Sequence, residues 1–197
     1  MGAEYKMLKD EMVRAIDTIN NVRNILYVAI ISVLTFAVKE QLPFLFLISY
    51  IIIIPIYGIT INRMHQFYRA AAYIMVFIEE QGSEIKWETR LYSLIQQSNN
   101  QHRIRYQKAN VFPFVFISGF ITILFFIYLD LERINELSVM IQMTLAIVLF
   151  LGVLVISVNQ KSPDKLRKEY VDKWKVVKNI ENKKSRTSHP LPGSTLY

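Results

Sequence analysis

Four long runs of the chain contain no charged residue: Asn24–Val38, Leu42–Ile61, Val111–Leu129 and Val139–Val158. An uncharged apolar run of about 18–20 residues crosses a ~30 Å hydrocarbon layer as a helix. Three of the runs reach that length. The first reaches it if Arg23 and Lys39 snorkel, letting the span begin at Val22. A soluble bundle of buried helices is the alternative, and four uninterrupted runs of this length weigh against it. The expected fold is therefore all-α and integral to a membrane, with four transmembrane helices.

Between and around these runs the pattern turns amphipathic. Tyr5, Leu8, Met12, Ala15, Ile19, Val22 and Leu26 alternate three and four residues apart, with Ile16 widening the line. That is a 3.5-residue seam. With neither Gly nor Pro between Ala3 and Gln41, the seam predicts one helix running unbroken into the first span. Its partner is either the same chain's other helices or further copies of the chain. Pro43 suits the first turn of the second span. Pro55, inside that span, is expected to kink it, as a structural feature or as a gating hinge.

In His65–Glu80, Phe67, Ala70, Ala71, Ile74, Phe77 and Ile78 recur at helical spacing, so the second helix continues beyond its span. Gln81-Gly82-Ser83 breaks it, Ser83 offers an N-cap, and a helix over Glu84–Gln97 follows. Ser162-Pro163-Asp164 starts a last helix. Its inner face is expected to be Leu166, Tyr170, Trp174, Val177 and Ile180. The chain thus divides into an amphipathic helix (1–23), spans one and two (24–61), a helical hairpin insert (62–110), spans three and four (111–158), an amphipathic helix (159–184) and a disordered tail (185–197).

Charge sets the expected orientation. Of 23 basic residues, all but Lys39 and Arg133 fall in residues 1–23, 62–110 and 159–197. The positive-inside rule places those segments, and so both termini, in the cytoplasm. That asymmetry alone accounts for a pI near 9.5. The charged start predicts no cleavable signal peptide. The absence of Cys excludes disulfides and thiolate metal sites.

Little in the sequence points to an enzyme. His65, His102 and His189 have no metal-ligand spacing, and there is neither a phosphate-binding glycine loop nor a Gly-x-Ser-x-Gly turn. No cofactor is expected. Glu79, Glu80, Glu84 and Glu88 read as a solvated face paired with Lys86 and Arg90, or less readily as a divalent-cation site. No Asp, Glu, Lys or Arg lies within a span, which removes the usual groups for proton relays, and no internal repeat points to an inverted-repeat transporter. Ser32, Thr35, Ser118, Thr122 and Gln142, with Ser49 and Thr60, either bond between helices or line a narrow uncharged pore. One four-helix chain has too little interior for such a pore, so a channel requires a homo-oligomer. Lys86, Trp87 and Arg90, with Arg103, Arg105, Tyr106 and Lys108, interleave cations and aromatics. They suit an anionic bilayer surface or a single-stranded oligonucleotide.

The stretch Arg69–Glu80 (RAAAYIMVFIEE), followed by Trp87-Glu88-Thr89-Arg90-Leu91, resembles a pattern in small four-span membrane proteins of bacterial anti-phage defence operons. The membrane effectors of Hailong systems are the nearest match, and the membrane subunits of Kiwa systems the next. The likeness covers residues 62–92 by motif and the rest by layout, and it assigns no functional residue by position. It implies a bacterial inner-membrane effector, a tetrameric channel held shut by oligonucleotides from a partner nucleotidyltransferase and released on infection. The rival reading is a non-conducting sensor or anchor that recruits a soluble operon partner.

Overall fold

The computed structural model describes residues 2–80, 86–97, 112–129 and 136–187, and every element in them is helical. The helices are α1 (Ala3–Glu40), α2 (Pro43–Tyr73), α3 (Trp87–Gln97), α4 (Phe112–Tyr128), α5 (Leu137–Val158) and α6 (Pro163–Thr187). A π-helical stretch, Ile74–Glu79, prolongs α2. Three helices are long and apolar enough to cross a membrane: α1, α2 with its extension, and α5. This makes the chain a candidate multi-pass membrane protein. The fourth expected span, α4, has 17 residues, about 26 Å at 1.5 Å per residue.

As expected, α1 is one helix of 38 residues, about 57 Å long. It ends at Gln41, whose left-handed backbone (φ 52°) lets its N–H donate to the Ala37 carbonyl. Pro43 then opens α2 in its first turn, where a missing N–H leaves no bond unmade. The helix passes through Pro55 without interruption.

The seam on α1 packs against its own chain. Tyr5, Met12, Ala15 and Leu26 are buried, and Leu8, Ile19 and Val22 half-buried. Below the spans, Tyr5 and Met12 join Ala70, Ala71 and Ile74 in one cluster, with Leu8, Phe67 and Ile78 against it. The small side chains Ala70 and Ala71 are 3% and 0% exposed, so α2 offers α1 a shallow surface for close approach. The upper cluster joins Leu26, Ile30 and Ala37 of α1 to Phe46, Tyr50, Ile53 and Tyr57 of α2. Phe114, Ile121 and Phe125 of α4 and Ala146 and Val153 of α5 complete it. Helix α2 is the shared partner of α1, α4, α5 and α6.

Three sequence expectations need correction. The pattern through Glu80 was read as ordinary helix, but Ile74–Glu79 is π-helical, with Glu80 N–H donating to Met75 O. The wider turn buries Ile74, Met75 and Val76 in succession and turns Glu79 inward (3% exposed). The inner face of α6 is Leu166, Arg167, Tyr170, Trp174 and Lys178, while Val177 and Ile180 are 37% and 50% exposed. Lys178 takes their place because its ammonium reaches Val76 O at 2.6 Å and lies 5.9 Å from the Phe77 ring centre. Finally, α6 continues to Thr187, three residues into the segment expected to be disordered. Residues 188–197 lie outside the described residues.

Candidate functional site

Of the basic–aromatic patch, the described residues include Lys86, Trp87 and Arg90. All three side chains are exposed at the start of α3, Trp87 at 65%. Arg103, Arg105, Tyr106 and Lys108 lie outside the described residues, as do Ser83 and Glu84.

What fixes α3 is a buried polar node on its other face. The Glu79 carboxylate accepts from the backbone N–H groups of Glu88 and Thr89, each at 2.7 Å, and from the Thr89 hydroxyl at 2.5 Å. Those N–H groups belong to the first turn of α3 and have no partner within the helix. Glu79 therefore caps α3 from the end of the π-helical stretch. Glu88 is 6% exposed and pairs with Arg167 of α6 (4% exposed) at 2.5 Å. The same guanidinium donates to Glu88 O at 3.0 Å. The expectation of a solvated acidic face paired with Lys86 and Arg90 is thus overturned for Glu79 and Glu88. Glu80 is exposed and pairs with Lys178 and Lys175. Burial pushes the Glu88 carboxyl above its ordinary value; Arg167 pulls it down and the Glu79 charge adds to the rise.

Aromatic packing completes the docking of α6. Trp174 stands edge-on to Tyr73 and Phe77, with centroids 5.1 and 6.0 Å away, and its indole N–H donates to Arg69 O at 3.2 Å. The Tyr73 hydroxyl donates to Glu4 of α1 at 2.6 Å, and this bond, with some burial and the Glu4 charge, pushes the phenol up to about 12. His65 Nδ1 lies 3.0 Å from the Tyr170 hydroxyl. Burial lowers the His65 pKa, and Glu169 partly opposes that.

The uncharged polar residues of the spans separate into two sets. Ser32 and Thr35 are exposed on α1, each hydroxyl donating to its own helix, at Val28 O (2.9 Å) and Ile31 O (2.8 Å). Ser118 and Thr122 face inward. Thr122 donates to Ser118 O at 2.9 Å, and the Tyr50 hydroxyl sits 2.9 Å from that carbonyl and 2.6 Å from Thr122 Oγ1. Seven residues along α2, the Tyr57 hydroxyl donates to Ser157 of α5 at 3.1 Å. Gln142 is half-buried in a groove between α2 and α5, beside Tyr50 and Pro55. The five pore candidates therefore do not converge within one chain.

Tyr50, Tyr57 and Arg167 were missed as key residues, and Glu79 was named only as part of a solvated acidic face. The i, i+7 spacing of the two tyrosines on one helix face was a usable signal. Arg167 gave none, standing among many cations of α6. Among the described residues, no group of three or more His, Cys, Asp or Glu is placed to hold a metal ion. No family model, curated protein or solved structure matches the chain.

Proposed function

We propose that the chain is a multi-pass membrane effector of bacterial phage defence, with its helical layer and both termini in the cytoplasm, and that several copies form a ligand-gated channel. One observation carries this reading: α1 and α2 run from the apolar bundle into the polar layer without a break. A ligand that tilts the outer layer therefore acts on the spans through the same two helices, with Pro55 inside α2 as the place where that helix can bend. The orientation rests on the distribution of Lys and Arg. The family reading rests on the Arg69–Glu80 and Trp87–Leu91 motifs.

The placement of the polar side chains refines the channel. Ser118 and Thr122 are engaged between helices, so conduction through an assembly would use surfaces facing away from each chain's own core. Ser32 and Thr35 on α1 are such a surface. The α1 seam is occupied by α2, so assembly would use other faces as well. Planar-bilayer recording of the purified protein tests the proposal. Conductance that changes on addition of short oligonucleotides, and that is altered in a Ser32→Leu/Thr35→Leu variant, supports it. Silence under every ligand condition refutes it.

The exposed Trp87, with Val176 and Ile180 at 59% and 50%, favours a second reading. These apolar groups on the polar layer fit a membrane anchor that recruits a soluble defence partner. Capture of a neighbouring gene product by the wild type and not by Trp87→Ala, with membrane potential intact during infection, distinguishes it.

A further inference from the structure

A cleft of about 420 Å³ opens between α2, the start of α4, the end of α5 and the start of α6. That volume lies within the ~300–1,000 Å³ typical of small-molecule sites. Ile61, Phe112, Val115 and Leu154 are among its walls, and Gln160, Lys161 and Ser162 are among its polar residues. Tyr57 and Thr60, 2% and 1% exposed, form its inner side. Their hydroxyls are already used, by Ser157 and by Ile56 O, so the inner surface is effectively apolar.

The position of the cleft identifies an occupant. Ile61 and Val158 are the last residues of two uncharged runs, and the polar Asn159, Gln160 and Lys161 follow Val158. One end of the cleft is therefore level with apolar spans and the other with polar flanks, the two environments a phospholipid joins. Lys161, which lines the cleft, shares the Glu169 carboxylate with Lys173, at 2.5 and 2.8 Å. Lys161 spends one donor on Glu169, and an ammonium with three donors retains capacity beyond that bond. Asp164, in the first turn of α6, keeps the mouth from being strongly cationic. What the mouth offers is a direct contact for one phosphate.

We infer that this cleft holds a single glycerophospholipid, its acyl chain against Phe112, Val115 and Leu154 and its phosphate at Lys161. The inference stands apart from channel activity. It is tested by native mass spectrometry of the full chain released from micelles containing phosphatidylglycerol, diacylglycerol or glycerol phosphate. One phosphatidylglycerol should stay bound per chain, and glycerol phosphate should not bind. Lys161→Ala, an exposed change, should weaken phosphatidylglycerol retention roughly ten-fold, as expected for one lost charge-assisted hydrogen bond, and leave diacylglycerol unaffected. Val115→Trp should displace both lipids by filling the cleft, and an unchanged melting temperature would show that the variant is folded. Retention insensitive to Lys161→Ala, binding of glycerol phosphate alone, or full retention by folded Val115→Trp would each overturn the site.

Discussion

Removing Arg167 should uncouple α3 and α6 from the spans, and the burial of its ion pair sets the size of the effect. Arg167 and Glu88 are 4% and 6% exposed. Deleting one partner of such a pair strands the other charge in a low-dielectric site, at a cost of about 3–5 kcal/mol. Arg167→Met also strips Glu88 O of its donor, which places it towards the upper end. Glu88→Leu strands a guanidinium that cannot shed its proton and should cost a similar amount. The double variant Glu88→Leu/Arg167→Met leaves no charge behind and should recover most of the loss, giving a coupling energy of about 2 kcal/mol or more.

The assay is denaturant unfolding in mild detergent, followed by Trp174 fluorescence in a Trp87→Phe background. Trp174 packs on Tyr73 and Phe77, so its emission reports undocking of α6. The pH dependence gives an independent check. A carboxyl raised in the folded state adds stability that is complete below its unfolded value and is lost as pH rises through the folded one. Burial already raises Glu88 despite Arg167, and Arg167→Met removes the group that holds it down. Its stability should therefore fall more steeply than that of the wild type as pH rises above the ordinary carboxyl range. Single variants costing under about 1 kcal/mol, or additive effects in the double variant, would refute a coupled buried pair.

Three further outcomes are expected. Glu79→Ala should cost about 1–2 kcal/mol by removing the cap of α3, so amide exchange across Trp87–Gln97 should rise about ten-fold while α1 and α2 stay unchanged; uniform exchange would exclude the capping role. Tyr50→Phe should weaken the α2–α4 contact by about 1 kcal/mol in mixed-micelle unfolding, with little added by Thr122→Val, since both hydroxyls serve one network; full additivity would argue against it. Glu4→Gln should bring the Tyr73 phenol down from about 12 towards 10.0 in ultraviolet titration. Because that phenol is raised in the folded state, its contribution to stability is present below 10.0 and lost as pH rises through about 12.

The one-dimensional pattern determined the helices and the side of each that is apolar. Uncharged runs fixed the candidate spans, and the three–four spacing from Tyr5 to Leu26 fixed the buried stripe of α1, because helical periodicity is local and additive. The termination at Gln41 and the start at Pro43 were legible for the same reason. Tertiary structure decided what each stripe meets. The seam could equally have met another copy, and α2 became its partner through Ala70, Ala71 and Ile74. The capping of α3 by Glu79 and the burial of Arg167 against Glu88 depend on groups 9 and 79 residues apart. No periodicity encodes a bond between distant elements, so a buried ion pair and a solvated one read alike along the chain.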